Sequence, residues 1–442
     1  MKRFLLSLMG LSVALFMACS SDDSAPVVPQ QGGGELTPGG ESAPGGDSGS
    51  SQAPDVSNDS YYATLPAANE AALQALYAAW VQKFYVTAEE EITAPDELGD
   101  AKLAALSGSA RIKFDEPLNT VSEGIGYGML ITYFMKDWDK FDRIFKYYRA
   151  YPVSAASGYY FMKWKVSGDK YNGGFVLGAQ GGSATDADLD VVTALLLAYA
   201  EKGSPEYLDY ALKVANSIYM TEINATTSLL MPGNSGGHMA DGYCYNISYF
   251  SLVGLRLLAK YDTEHSAKWN EVLAASLAYM KKVQDASYGL WPDWSDANGN
   301  PISPENSNNP SSTSALYDYF GLESVRIPLR LIWDYSWFGD ETTKAMASKA
   351  AQYIYGQTSG DIMNVLSRYK YAGEQATTVS LGGAHFKGVF CALWTVNPDY
   401  ANSVNTCRDV VLNASIKNYF ETSLQLLSSL YLNGYFVKHF NY

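Results

Sequence analysis

The sequence predicts an all-α protein made of packed helix hairpins, with the loops at one end building a site. Three observations lead there. Apolar residues recur at helical spacing through most of the chain. No run of alternating residues is long enough to seed a sheet, and the stretches between the apolar segments are rich in Gly, Asn, Asp and Trp.

The periodicity is clearest where Tyr127, Leu130, Ile131, Phe134 and Trp138 fall on one face of a single helix. Comparable helices are read at 71–85, 191–200, 207–219, 248–260, 269–283, 328–338, 342–355, 382–396 and 416–434. The chain also carries 34 Tyr and 9 Trp, more than a core needs. Most of these rings pack helices, but a flat apolar face with a polar edge also suits stacking on sugars.

Ahead of the helical region, Met1-Lys2-Arg3 and the short apolar run to Ala18 read as an export signal, too short to span a bilayer. Ala18 directly precedes Cys19, which resembles the lipobox of bacterial lipoproteins and marks Cys19 for lipidation after removal of residues 1–18. Residues 19–60 are Gly, Ser, Pro and Asp with almost nothing to bury, hence a flexible tether. No second linker divides residues 61–442, so one large domain is expected. The lipobox resemblance implies a protein of the bacterial cell envelope, lipid-anchored in the outer membrane, and Ser20-Ser21-Asp22-Asp23-Ser24 resembles the acidic stretch that accompanies surface display in some Gram-negative lipoproteins.

A net charge of −15 with 31 Lys plus Arg excludes nucleic acid as a partner, because phosphates need a basic face. Beyond Cys19, the cysteines Cys244, Cys391 and Cys407 allow at most one disulfide, Cys391 with Cys407 being one candidate. The four histidines are scattered without metal-binding spacing, so no metal site is expected. Gly233-Asn234-Ser235-Gly236-Gly237 satisfies G-x-S-x-G but has neither the preceding strand nor the following helix of a nucleophile elbow.

Three clusters could carry chemistry. In Ser122-Glu123-Gly124-Ile125-Gly126-Tyr127-Gly128, Ser122 is a candidate N-cap that puts Glu123 in a first helical turn. The three glycines each cost a helix about 1 kcal/mol relative to alanine, a cost that implies close approach of another helix or a ligand. A carboxylate at a helix start is equally accounted for by the dipole alone. In Thr185-Asp186-Ala187-Asp188-Leu189-Asp190, Thr185 and Asp188 form a capping-box-like start, while Gly181-Gly182-Ser183 leaves Asp186 at the mouth of a loop. In Glu323-Ser324-Val325-Arg326-Ile327-Pro328, Pro328 suits a first turn, and Arg326 could hold Glu323 ionised as a general base or pair with it as a plain i, i+3 salt bridge.

Taken in order, these segments resemble glycoside hydrolase family 8, the bacterial endoglucanases, xylanases and chitosanases built on a six-hairpin (α/α) barrel. The resemblance spans about Ala67 to Tyr431 and rests most on Val121 to Met129 and Ala184 to Asp190. Met162-Lys163-Trp164-Lys165, Asn246-Ile247-Ser248-Tyr249-Phe250, Gly289-Leu290-Trp291-Pro292-Asp293-Trp294 and Arg326-Ile327-Pro328-Leu329-Arg330 also match. It implies Glu123 as general acid, Asp186 at the cleaved sugar, Tyr249 supporting the water or base, and Trp164 stacking on a sugar ring. Tyr127, Trp294 and Arg326 join the substrate-binding candidates. Where the endoglucanase branch has an aspartate base three residues before the arginine, this chain has Glu323, preceded by Leu322 instead of an aromatic residue. Glu305 is the leading substitute base if the role has migrated, and Asp318 a lesser one.

The implied reaction is endo-acting hydrolysis of β-1,4-glucan with inversion, without metal or organic cofactor, by a monomer. Two carboxyls about 6.5–9.5 Å apart would flank the attacked bond. Xylan and chitosan are the next substrates in rank, and a non-catalytic surface glycan-binding lipoprotein is the rival from another class. A polysaccharide lyase on the same kind of toroid is a weaker alternative.

Overall fold

Helices in this chain alternate between two degrees of burial, and that alternation defines the architecture. The computed structural model describes residues 65–153, 158–176, 181–234, 243–302, 318–372, 379–436 and 438. Twelve of its helices pair into hairpins: α1 (Glu70–Phe84), α2 (Ser122–Phe134), α3 (Trp138–Ala150), α4 (Thr185–Lys202), α5 (Pro205–Thr221), α6 (Leu252–Tyr261), α7 (Ser266–Val283), α8 (Ile327–Phe338), α9 (Glu341–Thr358), α10 (Ala384–Trp394), α11 (Ala401–Leu412) and α12 (Tyr419–Leu432). In α2, 12 of 13 residues are buried, whereas its successor α3 buries only five. The even-numbered helices are therefore the inner ring and the odd-numbered ones the amphipathic outer ring.

Each inner helix touches the next, α2 to α4, α6, α8, α10 and α12, and α12 returns to α2. The sixth hairpin joins the two ends of the described chain, because inner α12 packs on outer α1. The result is an all-α, six-hairpin (α/α) barrel. A helix apolar on all sides has no alternative to full enclosure. Truncating an inner residue such as Leu195, fully buried in α4, costs about 2–5 kcal/mol through lost contacts and the cavity left behind.

Strand content among the described residues is confined to three two-stranded ladders: β1 (Tyr85–Thr87) with β2 (Ala110–Ile112), β3 (Thr120–Val121) with β4 (Lys165–Val166), and β5 (Tyr319–Phe320) with β6 (Tyr369–Lys370). The second matters for function. Val121 pairs with Lys165, and the chain turns directly from that ladder into α2.

Several local expectations fail for identifiable reasons. The helix read as continuous through Trp138 is two: Lys136 takes a left-handed conformation and the Asp137 side chain caps α3 through the N–H of Lys140. Ser122 is not the N-cap of α2, since Val121 is, and the Ser122 hydroxyl is buried without a partner. The Thr185 and Asp188 capping box is absent, because the Thr185 hydroxyl donates to the backbone oxygen of Met231 and Asp188 is bonded by Tyr148. The helix expected from 248 begins at Leu252, after a 3-10 turn over Ile247–Tyr249. Cys391 and Cys407 form a disulfide that staples α10 to α11, and Cys244 is free and buried.

The glycines of α2 do what their cost implied. A Cβ on Gly126 would stand 3.0 Å from the Asp190 side chain and 3.3 Å from the Ala187 carbonyl oxygen, and one on Gly128 would meet Ile112 at 2.8 Å. Only bare backbone lets α2 lie this close to α4, and so brings Glu123 and Asp186 to one place.

Candidate active site

Four inner helices bring their N-terminal ends together, and one side chain fastens them. Arg326, the N-cap of α8, is 3% exposed. Its Nη1 donates to Glu123 in the first turn of α2 and, at 2.9 Å, to Asp186 in the first turn of α4. Its Nη2 donates to Glu323, and its Nε to the Glu323 backbone oxygen at 3.3 Å. One guanidinium therefore faces three carboxyls from three parts of the chain. The i, i+3 pair read in the sequence is present and is one arm of this larger cluster.

Glu123 stands between opposing influences. The Tyr419 hydroxyl, from the start of α12, donates to its Oε1, and the Tyr127 hydroxyl reaches Oε2 at 3.4 Å. Burial raises its pKa most, Arg326 opposes that, and the charge of Asp186 raises it again; the Tyr419 hydrogen bond lowers it and Glu323 raises it, the net result being about 7. Asp186, 3% exposed, accepts from the backbone N–H of Ala187 at 2.9 Å and is also pushed up, by burial first, against the pull of Arg326. The cluster thus holds a carboxyl that retains a proton near neutrality beside others that accept hydrogen bonds.

Glu323 is positioned from two sides. Asn246 donates from Nδ2 to Glu323 Oε2 at 2.8 Å, and its own Oδ1 is engaged by the Ser248 N–H at 3.1 Å and hydroxyl at 2.7 Å, which fixes the amide orientation. Asp293 pins the turn that carries Glu323. Its Oδ1 accepts from the N–H groups of Gly321 and Ser324, both at 2.9 Å, and from the Ser324 hydroxyl at 2.6 Å. A Cβ on Gly321 would lie 2.7 Å from Asp293 Oδ2, so glycine is required for that approach. Burial pushes Asp293 up to about 7.

Aromatic rings line the same mouth. Tyr249 lies under the Arg326 guanidinium at 5.2 Å, and the partly exposed Trp294 meets Tyr249 edge-on at 6.1 Å. Trp164 donates its N–H to Gly182 O at 2.8 Å and accepts from the N–H of Ser122 at 2.8 Å, so its backbone is tied to the residue preceding Glu123. Gly181, with φ +88°, lets the chain pass against the Trp164 indole, where a Cβ would meet Nε1 at 2.3 Å.

The structure therefore brings together Glu123, Asp186, Glu323, Arg326, Tyr127 and Tyr249, with Trp164 and Trp294 tied to the same set through Ser122 and Tyr249. Asp318 is instead paired with Lys370 across the β5–β6 ladder. Glu305, Ser235 and Cys19 lie outside the described residues. Sequence reasoning missed Tyr419, which has no local motif and is one of 34 tyrosines. It also gave no role to Asn246 or Asp293, although both sit inside motifs it had singled out.

Comparison with known proteins agrees with this geometry. Residues 98–434 match the sequence profile described as Glycosyl hydrolases family 8. The chain is 29% identical over 343 residues to a beta-glucanase of Niallia circulans, covering 74% of this chain and 80% of that one. It is 30% identical over 328 residues to an endoglucanase of Bacillus sp. (strain KSM-330), covering 72% and 67%. Its fold superposes on the apo structure of a beta-1,3-1,4-glucanase from Paenibacillus sp. X4 with a TM-score of 0.69 at 24% identity, covering 86% of this chain and 93% of the other.

Proposed function

Since the chain belongs to glycoside hydrolase family 8, and is thereby a glycoside hydrolase of the endoglucanase type, we propose that it cleaves β-1,4-linked glucan internally and with inversion. Glu123 is the general acid and Glu323 the general base. The observation that carries this reading is the shared Arg326. Its two terminal nitrogens hold Glu123 and Glu323 on separate arms of one guanidinium, which supports a reading of the two as the acid and base of one site.

The roles divide by environment. Glu123, raised to about 7, still carries a proton to donate to the glycosidic oxygen at neutral pH. Glu323 Oε2 accepts from Arg326 and Asn246 and serves as the proton acceptor for water. Asp186 contacts the sugar at the cleavage point, Trp164 and Trp294 offer stacking faces, and Tyr249 lies between Arg326 and Trp294 to support the water or base. The scheme needs no metal or organic cofactor. The placement of Glu323 on Arg326 and Asn246 supports it over Glu305 as base. β-1,4-glucan is favoured over xylan because the beta-glucanase and the endoglucanase are 29% and 30% identical to this chain, against 22% for a reducing-end xylose-releasing exo-oligoxylanase of Paenibacillus barcinonensis.

The protein is also proposed to act as a monomer, tethered by lipid at Cys19 to the bacterial outer membrane. The disulfide between Cys391 and Cys407 supports export, since such bonds persist in oxidising compartments.

Reducing-sugar release from β-glucan, xylan and chitosan by the wild type, Glu123→Gln and Glu323→Gln tests the reading. Release from β-glucan that disappears in both variants is expected, with the α-anomer as first product by NMR. Near-native release by Glu123→Gln, or binding without release in the wild type, would overturn it.

A further inference from the structure

Behind the site lie two fully buried carboxyls that the scheme above does not use. Asp188 sits two residues past Asp186 on α4, and Glu222 directly follows α5. Asp188 Oδ1 accepts from the Tyr148 hydroxyl of α3, and Glu222 Oε1 accepts from the Ser183 hydroxyl. The remaining oxygens, Asp188 Oδ2 and Glu222 Oε2, have no hydrogen-bond partner among the described residues, and the two carboxyls are close enough for each to act on the other's ionisation. The buried cations nearby are engaged elsewhere: Arg326 on Glu123, Asp186 and Glu323, and Arg330 on Asp190. Two ionised carboxylates this close in a buried interior, with no cation paired to them among the described residues, repel strongly, whereas one proton between them turns both orphaned oxygens into a hydrogen bond.

We propose that Asp188 and Glu222 share one proton and together form a positioning latch for the active site. The latch grips Ser183. The Ser183 N–H also donates to Asn234 Oδ1 at 2.9 Å, and its hydroxyl oxygen accepts from the Asn234 N–H at 3.2 Å. On one side of Ser183, Gly182 O holds the Trp164 N–H, and Trp164 O holds the N–H of Ser122 next to Glu123. On the other side, Thr185 donates to Met231 O at 2.5 Å and Met231 donates its N–H to Glu222 O at 2.8 Å, which fixes the turn that delivers Asp186. Trp164 and Asp186 thus approach the site from the two ends of one short segment that the carboxyl pair clamps.

The groups facing the pair make it a clamp with an alkaline limit. They are Tyr148 from α3, Tyr210 from α5, Asp186 from α4, and the hydroxyls of Ser183 and Thr185. Arg149 lies over the Tyr210 ring and pairs with Glu206. Burial raises Asp188 far above the usual carboxylate range, and the charge of Glu222 adds to it. Burial raises Glu222 to about 8 against the hydrogen bond from Ser183. In the unfolded chain both groups ionise near pH 4, so the folded protein binds the extra proton above that. Stability from the latch therefore falls as pH rises from about 4 through about 8. Asp188, raised further, still holds the pair's last proton when Glu222 ionises, and the loss of that proton at higher pH leaves two like charges that drive the clamped segment apart.

The test uses a Glu123→Gln background, which removes the titration of the general acid. Binding of cellotetraose by calorimetry and the melting temperature are followed from pH 6 to about 9.5, with and without Glu222→Gln, an amide that keeps a hydrogen bond to Asp188 but cannot ionise. The expected result is an affinity loss of about fivefold or more above pH 8 in Glu123→Gln and less than about twofold in Glu123→Gln/Glu222→Gln, with the alkaline fall in melting temperature flattened in parallel. Equal alkaline losses in both proteins would overturn the latch. Asp188→Asn serves if Glu222→Gln does not fold, and failure of both amides to give a folded protein would equally overturn a shared proton. The affinity arm rests on the reading that Trp164 and Asp186 face a glucan. If cellotetraose does not bind at any pH, that reading fails while the melting arm still judges the latch.

Discussion

Two buried arginines one helical turn apart show how the same chemistry serves opposite ends. Arg330 grips Asp190 with both terminal nitrogens, one of them at 2.8 Å, and the pair is one cation to one anion. Arg326 likewise reaches from the start of α8 to α4, where it meets Asp186, but must also satisfy Glu123 and Glu323. The first pair is balanced and sealed in the barrel. The second carries more carboxyls than its single charge can neutralise and opens at the mouth, where Glu123 and Glu323 are 18% and 26% exposed. Excess negative charge in a half-closed space, added to burial, is what keeps a proton on Glu123. Balance makes a structural fastener, and imbalance makes an acid.

The largest effect that separates the two is on catalysis. Glu123→Gln is expected to lower kcat by about 10²–10⁴-fold, the usual worth of a positioned general acid, with the melting temperature little changed. Steady-state kinetics with circular dichroism melts would check it, and a comparable loss of kcat in a folded Asp190→Asn protein would erase the distinction.

On stability the ranking reverses. Arg330→Met leaves Asp190 buried and unpaired and is expected to cost about 3–5 kcal/mol, read as a lower urea midpoint. Arg326→Met removes activity but costs less, since Glu123 and Glu323 at the open mouth can reach water and the buried Asp186 can take up a proton. An equal or larger shift for Arg326→Met would break the contrast.

A smaller effect concerns the pH profile. For the wild type, kcat is expected to fall as pH rises through about 7, as Glu123 gives up the proton it must donate. Asp186→Asn removes one of the charges that hold Glu123 up, so the alkaline limb should move to lower pH in whatever activity remains. Movement to higher pH would contradict the imbalance argument. Arg330→Lys, which keeps the balanced pair charged, should leave the limb in place.

The two regions also differ in how far they could be read in advance. Glu123, Asp186 and the Glu323 to Arg326 spacing stood out because each sits at a helix start beside glycines or proline, features that are local. Asp188 reads as part of a capping box for the same reason: an acid in a first turn looks alike whether it caps a helix or meets Glu222 at the far end of its own hairpin. Tyr419 gave no signal, because its role depends on α12 closing the ring beside α2, 296 residues away in sequence. The break at Lys136 was hidden because Trp138 restarts the same apolar face on the following helix.

The sequence by itself determined that the chain is helical, which helix starts bear carboxyls, and which residues are too small to keep two helices apart. Those properties follow from periodicity and backbone sterics over a few residues. Only the tertiary structure decided that Arg326 serves Glu123, 203 residues away, and Asp186, 140 residues away, as well as its neighbour Glu323. A charge-sharing cluster exists only once the inner ring has closed and excluded water, and that closure is a property of all six hairpins at once.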